Sequence, residues 1–208
     1  LKTLPDAEKW KGPGSSAARV RALAPDPNEP ARLYAAIEVA GVARTDDAGQ
    51  TWQKVDNGIA PDVHSLAVSS LYKGFVYAAT GGGFYRTTDG GGEWRESGGG
   101  LTRRYCWPLI VRRAYAETLF LAAAAVPPPS WRPPPGADAA IFQSLDYGAR
   151  WEEVKDGLPI PPRAMFGALC FDPHDPYIVW AGDLEGRIWA GFESGQKWVL
   201  IFEGLPEV

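Results

Sequence analysis

The sequence predicts an all-β fold, a β-propeller of four-stranded antiparallel blades, and two observations carry this prediction. Five tryptophans recur at nearly constant intervals, at positions 10, 52, 94, 151 and 198. Each unit between them holds four short apolar segments separated by Gly, Pro, Asp and Asn, and four strands in a unit of roughly 40 to 50 residues are typical of a propeller blade. We assign the whole chain, 1–208, to one propeller domain with blades at 11–56, 57–98, 99–155 and 156–203.

The four strands of each unit, A to D, are assigned in chain order. Strand A is the early apolar run, which reads "RALAPD", "HSLAVS", "PLIVRR" and "ALCFDP" in the four units. Strand B follows as "LYAA", "VYAA", "LFLA" and "VWAG". Strand C leads into a polar turn, strand D starts at the tryptophan, and a Gly followed by Ile or Leu comes six residues after it.

The turn between strands C and D is the most regular part of the repeat and first appears as "RTDDAGQTW". Asp47 can accept backbone N–H groups just ahead of it and close the turn. Gly49 allows a backbone angle that other residues resist, and Trp52 can pack on a neighbouring sheet. The other copies are Asp89, Gly91 and Trp94, then Asp146, Gly148 and Trp151, then Glu193, Gly195 and Trp198. We expect the fourth turn to be looser, because a Glu side chain is one carbon longer.

The segment Thr45–Trp52 follows the pattern S/T-x-D-x-G-x-T-W and resembles the Asp-box, or bacterial neuraminidase repeat. This repeat occurs in sialidases, other glycosidases, sortilin-type receptors and the photosystem II assembly factor. The chain looks most like uncharacterised bacterial Asp-box proteins and, more loosely, like the assembly factor. The resemblance implies that the boxes are structural, that they lie away from the functional face, and that the blades belong to a seven-bladed ring longer than this chain.

The bulk composition excludes several classes of function. The net charge of −4 gives no basic field for nucleic acid. The longest apolar run, Leu119–Val126, is too short to span a membrane. Two cysteines without C-x-x-C spacing argue against a zinc site or a disulfide framework, and we expect no cofactor and no metal. The chain begins at Leu1, so we expect its native start to lie elsewhere; the compartment stays open, with the cytoplasm favoured.

Candidate binding residues lie in the D-to-A and B-to-C loops, where propellers usually meet their ligands. The third unit carries a Pro-rich insertion, 126–137, with Trp131 and Arg132 between two runs of three prolines. These prolines favour a stiff extended arm. Trp131 then either offers an aromatic stack to a ligand or is buried under the folded insertion. Further candidates in such loops are Arg103, Arg104, Tyr105, His64 and Arg163.

Two functions remain open at this point. The first is a non-catalytic binding or scaffold propeller that holds a protein partner or a carbohydrate, within a larger complex or a ring completed by further blades. The second is a glycoside hydrolase, sialidase-like or of another Asp-box type, that uses carboxylates of the same loops. The sequence lacks the F/Y-R-I-P segment of sialidases, which favours the binding function. The carboxylates that the hydrolase would use are Glu38, Asp138, Asp183 and Glu185.

Overall fold

The computed structural model describes residues 4, 7–10, 19–112, 118–131, 136–159 and 164–206. These residues form sixteen β-strands and one short 3-10 helix, Ala7–Lys9, with no α-helix among them. The strands pair into four antiparallel sheets of four strands each. The all-β prediction of four-stranded propeller blades is therefore confirmed.

Contacts along the chain divide it into two compact units, Leu1–Ser97 and Gly98–Val208. The first unit holds two sheets, each a meander in which every strand pairs with the next one in sequence. The first sheet consists of β1 (Val20–Pro25), β2 (Leu33–Ile37), β3 (Gly41–Thr45) and β4 (Gln53–Lys54). The second consists of β5 (Val63–Val68), β6 (Val76–Thr80), β7 (Gly83–Thr87) and β8 (Arg95–Glu96).

The second unit holds two further sheets of the same meander order. The third sheet consists of β9 (Tyr105–Val111), β10 (Leu119–Ala124), β11 (Ala140–Ser144) and β12 (Glu152–Val154). The fourth consists of β13 (Phe166–Phe171), β14 (Val179–Asp183), β15 (Ile188–Phe192) and β16 (Lys197–Phe202). That the four sheets make one domain stays a prediction.

The second strand of each of the first three sheets is almost completely buried. All residues of β6 and β10 are buried, and only Leu33 at the start of β2 is partly exposed. A short unbroken apolar run is what a strand covered on both faces requires. The tryptophans of the box turns complete these cores: Trp94 packs with Val63 and Ala78 in the first unit, and Trp198 packs with Phe120 and Ala122 in the second.

Candidate functional site

The meander order brings two kinds of loop to one end of each sheet. In the third sheet, Tyr105 at the start of β9 pairs with Ala124 at the end of β10, and Ala140 at the start of β11 pairs with Ala123. The segment before β9 and the insertion between β10 and β11 therefore share one end of the sheet. We call this end, formed in every sheet by D-to-A and B-to-C loops, the D–A end.

Three aromatic rings gather at the D–A end of the third sheet. The Trp131 ring lies parallel to Trp107, 6.2 Å between centroids and 13° apart, and edge-on to Tyr105 at 5.5 Å. Its indole N–H donates to the Val126 carbonyl at 2.7 Å. All three rings are partly buried. Trp131 is thus held on strand β9, with part of its surface and part of Trp107 open to solvent.

The first part of the insertion, residues 126–131, differs from the extended arm expected from its prolines. Residues 128–131 form a turn, in which the Ser130 N–H donates to the Pro127 carbonyl at 3.3 Å. The physical reason is the burial of the Trp131 ring against Tyr105 and Trp107, which draws the chain back onto its own sheet. Arg132, the second residue predicted for this arm, lies outside the described residues, as does Arg163.

The Arg103 guanidinium is bound within the protein. It donates to the Asp138 carbonyl and carboxylate at 3.1 and 3.0 Å, to the Glu153 carboxylate at 3.0 Å and to the Thr102 hydroxyl at 2.8 Å. These contacts tie the loop before β9 to the insertion and to strand β12. Arg103 therefore braces the aromatic cluster, whereas its neighbour Arg104 is exposed.

The other acidic candidates of the second unit are also engaged by arginine. The Asp183 carboxylate accepts the Arg187 Nε–H at 2.7 Å, the Trp189 indole N–H at 3.1 Å and two backbone N–H groups. Glu185 pairs with the Arg187 Nη2 at 2.7 Å. Asp183 is buried, and its hydrogen bonds close the loop between β14 and β15. These contacts serve to hold the loop in place.

Two pairs of ionisable side chains lie at the D–A ends of the two sheets in the first compact unit. The His64 Nε2 lies 3.2 Å from the Asp62 carboxylate, and Arg21 lies 3.8 Å from the Glu38 carboxylate. The hydrogen bond from His64 lowers the pKa of Asp62 below its usual value. Glu38 is buried, and its Oε2 atom has no hydrogen-bond partner among the described residues.

Sequence reasoning missed three of the residues at the D–A ends, Arg21, Asp62 and Trp107. Asp62 stands two residues before His64 at the start of a strand, and that spacing could have indicated the pair. Trp107 stands two residues after Tyr105, a spacing that in a regular strand places two side chains on one face. No sequence signal places Arg21 beside Glu38.

The box turns repeat one hydrogen-bond pattern in the first three copies. In the first, the Asp47 carboxylate accepts the Thr51 N–H at 2.8 Å and the Thr51 hydroxyl at 2.6 Å, while the Thr45 hydroxyl donates to it at 2.7 Å. These donors lower the pKa of Asp47 to about 2. The equivalent carboxylates, Asp89 and Asp146, accept the N–H of Glu93 and Arg150 at 3.1 and 2.8 Å.

The fourth box turn is built without its carboxylate. Within the described part of the chain, Glu193 makes no hydrogen bond, and the turn closes through bonds from the N–H groups of Gly195 and Gln196 to the Phe192 carbonyl. Glu193 and Ser194 both adopt positive φ angles, 51° and 60°. Nevertheless Trp198 is buried like Trp94 and Trp151, while Trp52 is partly exposed.

Two further classes of site are not found among the residues described. No group of three or more His, Cys, Asp or Glu side chains is arranged to hold a metal ion in residues 19–112, 118–131, 136–159 and 164–206. Within the same ranges, no helix has the length and apolar character needed to cross a membrane. Both cysteines are free, Cys106 buried and Cys170 exposed.

Comparison with known proteins gives information on the fold. No protein-family model matches the chain, and no curated protein sequence does. Among solved structures, an ancestral GH74 enzyme is similar over 88% of this chain and 24% of its own, with 19% identity and a TM-score of 0.71. The GH74 xyloglucanase from Xanthomonas campestris is similar over 89% of this chain and 30% of its own, with 19% identity and a TM-score of 0.67.

A third similar structure is YCF48 from Cyanidioschyzon merolae, with 11% identity and a TM-score of 0.61 over 90% of this chain and 57% of its own. The chain thus spans less than two thirds of each of these proteins. At such low identities the likeness speaks for fold alone. The sheets and the comparisons agree that this chain has the β-propeller fold.

Proposed function

We propose that this protein is a non-catalytic binding or scaffold propeller that holds a protein partner or a glycan at the D–A end of its sheets. The observation that carries the proposal is the cluster of Tyr105, Trp107 and Trp131 on strand β9. Partly exposed, well-held aromatic rings contribute contact area at low entropic cost. The C–H face of a sugar ring or a proline ring of a peptide would pack on such a surface.

The preorganisation of this cluster supports binding. The Trp131 ring is fixed by its indole hydrogen bond to Val126, and the loop beneath it is fixed by the bonds of Arg103 to Asp138 and Glu153. A surface that is already ordered in the free protein loses little conformational entropy when a ligand arrives.

The alternative, a glycoside hydrolase, is supported by the fold it shares with the GH74 enzymes. A hydrolase of the usual kind needs two carboxyl groups across the scissile bond, one of them able to deliver a proton. Asp138, Asp183 and Glu185 each pair with an arginine at 3.0 Å or less. These contacts engage three of the four candidate carboxylates within the protein's own loops, so binding is the better supported function.

The test is a calorimetric titration of the protein with two probes, a xyloglucan oligosaccharide and a polyproline peptide. Trp107→Ala and Trp131→Ala are expected to weaken binding of the recognised probe at least about tenfold. Trp180→Ala is the matched control, because Trp180 is also partly buried with a bonded indole N–H but lies near the start of β14, at the other end of its sheet.

Each result decides between the two functions. Binding that is lost in the two cluster variants and retained in the control supports the proposal, and the class of probe names the ligand. Release of reducing sugar from the oligosaccharide, abolished by Asp138→Asn or Asp183→Asn, would favour the hydrolase instead. Binding of both probes that no cluster variant weakens would refute the role given to the D–A end.

A further inference from the structure

One asparagine of the chain stands directly before a glycine. The sequence holds two asparagines, Asn28 and Asn57, and of these only Asn57 precedes a glycine, Gly58. Asn57 and Gly58 are both exposed, in the loop between β4 and β5. At such a step the glycine nitrogen can attack the asparagine side chain, because glycine has no Cβ that hinders the approach.

The backbone of this step makes a tight contact between the two sheets of the first compact unit. The Asn57 carbonyl accepts the Trp94 N–H at 2.9 Å, just before strand β8. A Cβ atom on Gly58 would lie 2.5 Å from the Trp94 carbonyl oxygen. The Ile59 N–H closes the turn by donating to the Asp56 carbonyl at 3.3 Å. The contact therefore leaves no room for an additional backbone atom.

The Asn57 side chain is held weakly, so it can turn toward the Gly58 nitrogen. Its Nδ2 lies 3.5 Å from the Gly92 carbonyl oxygen, which is longer than the usual N–H···O distance of about 2.7 to 3.2 Å. The Nδ2 of Asn28 donates to the Ser69 carbonyl at 2.9 Å. Of the two asparagines, Asn57 thus has both the more mobile amide and the unhindered neighbour.

We propose that Asn57 is a site of spontaneous deamidation and that the isoaspartyl product opens the contact with Trp94. The Gly58 nitrogen bonds to the Cγ atom of Asn57, and the bond from Cγ to the side-chain nitrogen breaks. That nitrogen leaves as ammonia, with the proton that Gly58 gives up. One water then opens the five-membered ring: its hydroxyl bonds to a ring carbonyl carbon and its proton returns to the Gly58 nitrogen.

The carbonyl at which the ring opens decides the product. Opening at Cγ gives aspartate with the original backbone. Opening at the former backbone carbonyl gives isoaspartate, in which the chain runs through Cβ and Cγ to Gly58 and is one atom longer. The carbonyl that accepted the Trp94 N–H then becomes a free carboxylate, next in sequence to Asp56, which pairs with Lys54 at 2.6 Å. The longer backbone and the repulsion between neighbouring carboxylates both displace the turn from Trp94.

The site is independent of the function proposed above, because none of its residues belongs to the aromatic cluster on β9. The second compact unit supplies a matched control. Asp156 is exposed and precedes Gly157, and its carbonyl accepts the Trp198 N–H at 2.9 Å. Asp156 has the same backbone contact as Asn57 but carries a carboxylate, which is a poorer target for the glycine nitrogen because it is negatively charged.

The test incubates the folded 208-residue chain in mildly alkaline buffer and follows its peptides by mass spectrometry, with fragmentation that separates isoaspartate from aspartate. We expect Asn57 to convert at least about tenfold faster than Asn28, because Glu29 carries a Cβ and Gly58 does not. Asp156 should isomerise more slowly than Asn57. The variant Asn57→Gln should stay unchanged, since its longer side chain would have to close a six-membered ring. Conversion of Asn57 only in unfolded protein would overturn the proposal.

Amide hydrogen exchange tests the effect on the contact. The Trp94 amide should lose its protection in the isoaspartyl fraction and keep it in the unreacted fraction. Asn57→Asp adds the charge without the extra backbone atom, so its Trp94 amide should exchange more slowly than that of the isoaspartyl fraction. A Trp94 amide that stays protected in the isoaspartyl fraction would contradict the proposed opening.

Discussion

The close backbone contact between Gly157 and Trp198 makes a sharp prediction for the substitution Gly157→Ala. The added Cβ would lie 1.8 Å from the Trp198 carbonyl oxygen and 2.7 Å from its carbon, so strand β16 has to move away from Asp156. A left-handed φ costs a non-glycine residue about 1 to 2 kcal/mol. The hydrogen bond between the Trp198 N–H and the Asp156 carbonyl contributes about 1 kcal/mol more, and poorer packing of the Trp198 ring adds to both.

The summed loss is about 3 kcal/mol, which corresponds to a fall in Tm of roughly 6 to 12 °C for a chain of this size. Gly49→Ala is the matched control, because Gly49 has a φ of +93° with nothing within 4 Å of its Cβ position. This variant should lose only the free energy of the backbone strain, about 1 kcal/mol, and its Tm should fall by roughly 2 to 4 °C. Differential scanning calorimetry on both variants checks the difference. Equal falls in Tm would refute a steric contact between Gly157 and Trp198.

Three further outcomes follow from other parts of the structure. The pKa of Asp47 is lowered from 3.8 to about 2, so its stabilising hydrogen bonds are complete above pH 4 and are lost as the pH falls toward 2. The Tm should therefore fall as the pH is lowered through this window, and it should fall less in Asp47→Asn. Asp183→Ala leaves Arg187 and Trp189 without their buried acceptor and should cost about 3 kcal/mol in urea unfolding, whereas no loss would mean that the loop does not need its carboxylate. Desolvation raises the pKa of Cys170, so a thiol reagent at neutral pH should label Cys170 slowly in the native protein. Cys106 is buried and should be labelled only after unfolding. Rapid labelling of Cys106 in the native protein would contradict its burial.

The fold was predictable from the sequence because its signals are local and repeated. Asp47, Gly49 and Trp52 sit at fixed offsets, so one turn can be recognised from a short segment, and its three further copies give the period. The sequence also indicated that the fourth turn differs, because Glu193 stands where the other three turns have the Asp that closes them.

The site was predictable only in part, because its contacts join residues far apart in the chain. The Pro-rich insertion singled out Trp131, but its position on Tyr105 and Trp107 depends on how the loop folds back. Arg103 was expected to face a ligand, yet its guanidinium is bonded to Asp138 and Glu153, 35 and 50 residues further along the chain. No periodicity or composition encodes such a pairing.

The most direct test of the binding function is an NMR titration that follows the indole N–H resonances of the nine tryptophans in ¹⁵N-labelled protein. A xyloglucan oligosaccharide and a polyproline peptide serve as the probes, and each is recovered afterwards to check that it is intact. We expect one probe to move the Trp107 and Trp131 resonances, to leave Trp180 in place and to be recovered unchanged. Shifts that bypass Trp107 and Trp131, or recovery of a cleaved oligosaccharide, would contradict a non-catalytic binding surface at the D–A end.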